Sequence, residues 1–262
     1  MATDPLLLTS TPRTSQEYWF QSRYPLSCLA FLLPLLVTYE LGVLLLGGDR
    51  ADALRNGADF WLRDLLQRVG LHQPYLLPVL VVGLLLAWHI IGKYPRRVSL
   101  ETLLGMLAES VLFGFCLIVI AQLEDMAFRQ WAVPASMAPH AVALSPLQRQ
   151  VAAQVVAFLG AGIYEEVLFR LLLLPACFVV LRLLLVPRNW AAVFAVLGTS
   201  LLFSAAHYMG STGEAFVWST FVFRTLAGLF FALLFVFRGF GITVGSHAAY
   251  DLLVGVLLVG HG

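Results

Sequence analysis

Ionisable side chains occur inside three long apolar segments of this 262-residue chain. Glu165 and Glu166 lie in the first segment, His207 in the second, and His247 and Asp251 in the third. An ionised group at the centre of a membrane helix costs about 2.5–3.5 kcal/mol of insertion free energy. Burying these residues is therefore unfavourable unless their side chains interact with one another. A carboxylate and an imidazole that hold one water can remove its proton, and a second imidazole can stabilise an oxyanion. The residue types therefore favour peptide hydrolysis.

Helical spacing indicates which of these side chains share a face. Glu166 and Arg170 are four residues apart, so we expect them to pair, which offsets much of the cost of burying both charges. Glu165 points about 100° away from that face, so its carboxylate remains available for catalysis. His247 and Asp251 are also four residues apart, so they present an imidazole beside a carboxylate.

A metal-dependent form of this chemistry would use the same groups. Glu165, His207 and His247 make up a set of two histidines and one carboxylate, which can hold a single zinc ion with an open position for water. Without a metal, the carboxylate itself activates the water. The sequence leaves both alternatives open: no cofactor, or one zinc ion.

Composition indicates that the helices carrying these residues lie in a membrane. Apolar residues make up 60% of the chain and charged residues 12%, and the mean hydropathy is +0.86. Soluble domains have about 25% charged residues, so a soluble fold is excluded. A net charge of +1 without a basic cluster makes nucleic acid an unsuitable partner. The expected partners are membrane lipids and a protein or peptide substrate with a hydrophobic segment.

Apolar runs of bilayer length predict the membrane topology. Residues 1–25 are expected to form a polar N-terminal arm, and residues 51–69 an amphipathic helix in the membrane interface. A loop at 122–149 contains three prolines, which cannot continue a helix. The predicted spans lie at about 26–46, 75–92, 102–121, 150–170, 171–186, 190–208, 215–237 and 241–259.

These spans predict the fold class and the domain organisation. We expect an all-α, polytopic membrane protein with about eight transmembrane helices around a polar cavity. The whole chain, residues 1–262, is interpreted as a single membrane-embedded domain, because no linker or repeat divides it. Its motif-bearing core is expected at residues 150–259.

Three motifs lie in the apolar segments: EExxxR at Glu165, Glu166 and Arg170, FxxxH at Phe203 and His207, and HxxxD at His247 and Asp251. They resemble the motifs of the CPBP (ABI) family of intramembrane proteases, which includes the CAAX prenyl endopeptidases. The resemblance covers about residues 150–259 and implies an eight-helix membrane fold with a water-filled cavity. In that fold Glu166 and Arg170 would be partly structural.

The resemblance also implies a catalytic role for four residues. Glu165 and His207 would activate the water, while His247 and Asp251 would stabilise the oxyanion. Prenyl endopeptidases have Asn at the position of Asp251, and an ionised carboxylate there would repel an oxyanion. Asp251 must therefore be protonated, orient His247 or bind a metal. This departure favours substrates other than prenylated CAAX proteins, such as peptides or the C-terminal membrane anchors of exported proteins.

Two other functions use the same kinds of residue. A non-proteolytic membrane scaffold or immunity-type binding protein of the same fold would keep its function without Glu165 and His207. A proton-coupled transporter also buries acids and imidazoles, but the sequence shows no inverted repeat. Lys93 is the only lysine among 16 basic residues, which is typical of a high-GC bacterial source and predicts the bacterial inner membrane.

Overall fold

The computed structural model describes residues 13–47, 54–131, 147–209 and 213–258. Within these ranges every regular element is helical, which confirms the all-α fold class. Two π-helical turns, Val167–Leu173 and Leu253–Leu258, follow the sixth and tenth helices. The helices are α1 (Arg13–Gln21), α2 (Pro25–Gly47), α3 (Gly57–Arg68), α4 (Leu76–Ile91), α5 (Leu100–Trp131), α6 (Leu147–Glu166), α7 (Leu174–Leu183), α8 (Arg188–Ala206), α9 (Trp218–Arg238) and α10 (Phe240–Leu252).

Among the described residues, four helices are long and apolar enough to cross a membrane: Pro25–Gly47, Leu100–Phe128, Arg188–Ala206 and Trp218–Arg238. Two more apolar segments, Leu76–Ile91 and Phe240–Val256, are shorter. Large apolar side chains on the outside of these helices are exposed. Such an apolar surface is favourable in contact with lipid and unfavourable in contact with water. The protein is therefore an integral membrane protein with several spans. The predicted total of eight spans is not confirmed.

The predicted boundary between spans at residues 170 and 171 is wrong. Residues 147–183 form one continuous helical segment, because the π-helical turn joins α6 to α7 without leaving helical backbone angles. The N–H of Leu174 donates to the carbonyl of Phe169, five residues earlier. This wider turn accommodates Pro175, whose missing N–H suggested a break in the sequence.

The predicted loop at 122–149 is also wrong at both ends. Helix α5 continues to Trp131, and α6 already begins at Leu147. Charged residues end the apolar run near residue 122, but they do not end a helix, because Glu, Gln and Met have high helix propensity. Residues 132–146, which contain the three prolines, lie outside the described part of the chain.

Two glycines allow α10 to pack closely against its neighbours. Gly239 has a φ of +86° and separates α9 from α10 by a single residue, a conformation that strains other residues. A Cβ atom at Gly162 would lie 2.8 Å from the backbone nitrogen of Ala248, so α6 touches the backbone of α10 there. These contacts place the Glu165–Glu166 end of α6 beside His247.

Candidate active site

The carboxylate of Glu166 joins two of the predicted motifs. Its side chain is fully buried, and Oε1 accepts a hydrogen bond from Nη1 of Arg170 at 3.1 Å. The same oxygen lies 2.7 Å from Nδ1 of His247, which therefore carries a proton and donates it. The pairing with Arg170 was predicted from helical spacing, whereas the bond to His247 on α10 was not. Glu166 thus holds both the guanidinium and the imidazole.

Arg170 fixes this carboxylate to the surrounding helices. Its Nη2 donates to the backbone carbonyl of Gly228 on α9 at 3.0 Å. Its Cζ lies 4.3 Å from the centre of the Phe203 ring on α8, close enough for a cation–π interaction. With 2% of its side chain exposed, the guanidinium is enclosed by protein on all sides. Arg170 therefore joins α6, α8 and α9 around the site.

Glu165 faces both imidazoles with one carboxylate oxygen. Its Oε2 lies 3.9 Å from Nε2 of His207 and 3.9 Å from Nε2 of His247. These distances are too long for direct hydrogen bonds, but a water at about 2.8 Å from each partner can bridge them. The Glu165 side chain is 14% exposed, so it is less enclosed than Glu166. The arrangement can hold a water between a carboxylate and two imidazoles.

The two histidines are held in defined orientations. His207 follows the last residue of α8, and its Nδ1 lies 2.9 Å from the carbonyl oxygen of Phe203. Because that carbonyl accepts, Nδ1 carries the proton and Nε2 is directed at Glu165. The His247 ring stacks on Phe231 with centroids 4.5 Å apart. Each imidazole therefore presents Nε2 to the same carboxylate.

Asp251 lies beside His247, as their spacing predicts. Its Oδ2 is 3.5 Å from Nε2 of His247. Asp251 thus reaches the same imidazole nitrogen that faces Glu165. All six predicted site residues come together in the structure: Glu165, Glu166, Arg170, His207, His247 and Asp251.

The geometry does not fit the suggested zinc set of Glu165, His207 and His247. In the described part of the chain, no group of three or more His, Cys, Asp or Glu residues is arranged to hold a metal ion. Ligand atoms around a tetrahedral zinc lie about 3.3 Å apart when the bonds are about 2.0–2.1 Å. The two 3.9 Å separations at Glu165 are wider than that.

Asn56 is a contact of the site that the sequence reasoning missed. Its Nδ2 lies 3.4 Å from Oε1 of Glu165, although the two residues are 109 positions apart. Asn56 is the N-cap of α3, where its Oδ1 accepts from the backbone N–H of Asp59 at 2.8 Å. An Asn before a helical pattern predicts an N-cap. Its proximity to Glu165 has no local signal in the sequence.

A buried ionic cluster fixes α3 against the site. The carboxylate of Asp59 is fully buried and accepts from the hydroxyl of Tyr39 at 2.7 Å, from Nη1 of Arg55 at 2.7 Å and from Nε of Arg63 at 2.6 Å. Tyr39 belongs to α2, so these bonds join α3 to α2. The sequence predicts a helix in this region and does not indicate this docking.

The same cluster reaches the helix that carries the two adjacent glutamates. Glu40 on α2 accepts from Nη2 of Arg63 at 3.0 Å and from the hydroxyl of Tyr164 at 2.5 Å. Tyr164 directly precedes Glu165 on α6. Helices α2, α3 and α6 are therefore joined immediately beside Glu165.

Comparison with known proteins finds a family similarity in the segment that carries the site. Residues 145–253 match the model of the Rce1-like family, described as type II CAAX prenyl endopeptidase Rce1-like. No curated protein and no solved structure gives a match. The matched segment contains all three motifs, from Glu165 to Asp251. The predicted resemblance to the CPBP family and its CAAX-type proteases is therefore confirmed over residues 145–253.

Proposed function

We propose that this protein is an intramembrane endopeptidase that hydrolyses a peptide bond in a membrane-attached or C-terminal hydrophobic substrate. The observation that carries the proposal is the position of Glu165 Oε2, 3.9 Å from Nε2 of both His207 and His247. The match to a family of CAAX-type endopeptidases supports it. The proposed setting is the bacterial inner membrane, with about eight spans around the site.

In the proposed mechanism, Glu165 acts as the general base. A water held between Glu165 and the Nε2 atom of His207 loses a proton to the carboxylate as its oxygen attacks the substrate carbonyl carbon. The new C–O bond produces a tetrahedral oxyanion. Glu165 then returns the proton to the amide nitrogen, and the oxyanion re-forms the carbonyl as the C–N bond breaks. The products are an amine and a carboxylic acid, whose proton then passes to the amine. Protons and atoms balance without another reactant.

His247 is the proposed oxyanion donor. Because Nδ1 already donates to Glu166, His247 donates to an oxyanion only when Nε2 is protonated as well. The carboxylates of Glu166 and Asp251 compensate the positive charge of that doubly protonated ring. Of the three roles left open for Asp251, the 3.5 Å contact favours orienting His247. Asp251 then has no need to contact the oxyanion itself.

Comparison of proteomes tests this function in the cell. We expect cells in which the protein carries His207→Ala to accumulate at least one uncleaved membrane or exported protein. Its shorter form should be present in cells with the wild-type chain, and quantitative mass spectrometry of membrane and secreted fractions measures both forms. Identical proteomes, together with a retained cellular function, would favour the non-proteolytic scaffold. Both interpretations require that the His207→Ala variant is present in the membrane at the same level as the wild-type protein.

Chelation separates the carboxylate mechanism from a zinc mechanism. We expect purified protein in lipid nanodiscs to keep at least half of its cleavage rate after exhaustive chelation, because Glu165 and the imidazoles are too far apart for shared zinc bonds. Elemental analysis of the same sample should find less than about 0.1 zinc per chain, well below the one ion that a catalytic zinc site holds. Loss of cleavage that added zinc restores would contradict the carboxylate mechanism.

A further inference from the structure

The orientation of the Asn56 amide follows from its role at the helix terminus. Its Oδ1 accepts from the backbone N–H of Asp59, and only an oxygen can do so. The amide nitrogen must therefore occupy the other position, 3.4 Å from Oε1 of Glu165. Capping of α3 and donation to Glu165 are two functions of one side chain.

The two oxygens of Glu165 have different neighbours. Oε1 is next to Asn56, while Oε2 is next to Nε2 of His207 and His247. The terminal torsion of a glutamate is broad, so a free carboxylate samples many rotations. A donor that contacts only Oε1 restricts this rotation and keeps Oε2 toward the imidazoles. Displacements of about 1 Å at a reacting group can cost about 100-fold in rate.

Asn56 is attached to a rigid support. The buried carboxylate of Asp59, three residues further along, accepts from Tyr39 on α2 and from Arg63 on α3. Arg63 also donates to Glu40 on α2. Side chains of this cluster are largely buried: Asp59 is 0% and Arg63 12% exposed. The start of α3 is therefore held in place relative to α2 and α6.

We propose that Asn56 is a positioning residue for Glu165, and that α3 is part of the active site through this amide. Asn56 keeps the carboxylate in the rotation in which Oε2 faces the water between His207 and His247. This inference rests on the proposed hydrolytic function. It extends the site beyond residues 145–253 to the beginning of an amphipathic helix whose sequence shows no catalytic motif.

Three substitutions at Asn56 separate capping from positioning. Asn56→Ser and Asn56→Asp keep a side-chain oxygen that caps α3 but lose the amide donor, whereas Asn56→Ala loses both. We expect the Ser variant to unfold within about 2 °C of the wild type and Asn56→Ala several degrees lower, since loss of a cap costs about 1 kcal/mol. Asn56→Asp places a second carboxylate beside Oε1 of Glu165, so its unfolding temperature should fall as well. We expect kcat to fall at least 10-fold in all three, with KM unchanged.

The assay follows cleavage of the protein that accumulates uncleaved in His207→Ala cells, purified and reconstituted with each variant in lipid nanodiscs. Asp64→Ala is the matched control, because Asp64 forms an exposed ion pair with Arg68 on the same helix. That control should keep the wild-type kcat. A wild-type kcat in Asn56→Ser would overturn the proposal, as would a kcat that falls only in proportion to the folded fraction. A raised KM with normal kcat would also overturn it.

Failure of this inference differs from failure of the proposed function. If Glu165→Gln in the same assay is inactive while Asn56→Ser is fully active, Asn56 is only a helix cap and the hydrolytic function stands. If Glu165→Gln itself cleaves at the wild-type rate, the hydrolytic mechanism fails.

Discussion

Glu165→Gln is expected to lower kcat by about 100- to 10,000-fold, the contribution that a positioned general base makes to catalysis. Glutamine has nearly the same shape as glutamate, and its carbonyl oxygen can still accept from Asn56. It cannot accept a proton from the attacking water. The protein should stay folded and inserted, because Glu165 is not the residue that pairs with Arg170. Single-turnover cleavage in lipid nanodiscs measures the effect on the chemical step.

A matched substitution shows whether the loss is specific to the site. Glu101→Gln removes one charge from the exposed first turn of α5, which is distant in sequence from His207 and His247. This substitution should leave the cleavage rate unchanged. Thermal unfolding of Glu165→Gln should agree with the wild type. Cleavage at the wild-type rate by a folded Glu165→Gln would rule out Glu165 as the base.

Arg170→Met is expected to lower the free energy of unfolding by about 3–5 kcal/mol, the cost of removing one partner from a buried ion pair. The substitution leaves the Glu166 carboxylate fully buried without its guanidinium partner and removes the bond to Gly228 on α9. Reduced membrane levels should accompany the loss. Denaturant or thermal unfolding in mild detergent measures the change.

A double variant distinguishes loss of the charge pair from loss of packing. Arg170→Met combined with Glu166→Leu removes both buried charges, so it should recover most of the lost stability. It should remain inactive, because His247 loses its Nδ1 partner. The control is Arg182→Met on the exposed side of α7, which should cost at most about 1 kcal/mol. An Arg170→Met variant as stable as the wild type would contradict a supporting role for Arg170.

Hydropathy does not predict where the helices of this protein end. Apolar runs end where charged residues begin, but backbone hydrogen bonds continue through Glu and Gln at little cost. This is why α5 extends to Trp131 and why residues 147–183 are continuous through Arg170. The sequence marks where a helix leaves the apolar region, and it does not mark where the helix ends.

The sequence determined by itself those features that composition and local spacing control. Low charge content predicted an integral membrane protein, and four-residue spacing predicted the contacts of Glu166 with Arg170 and of His247 with Asp251. Such pairs lie on one helix face whatever the surrounding fold, because the helical repeat alone sets their separation. The catalytic roles assigned to the motifs stay predictions until the substitutions are measured.

Only the tertiary structure decided which helices meet and which atoms face each other. The bond from His247 to Glu166 joins residues 81 positions apart, and the contact of Asn56 with Glu165 joins residues 109 apart. Sequence periodicity does not predict these two contacts, because they depend on how α3, α6 and α10 pack against one another. Close packing at Gly162 and the buried cluster around Asp59 bring these helices together, and that packing assembles the site.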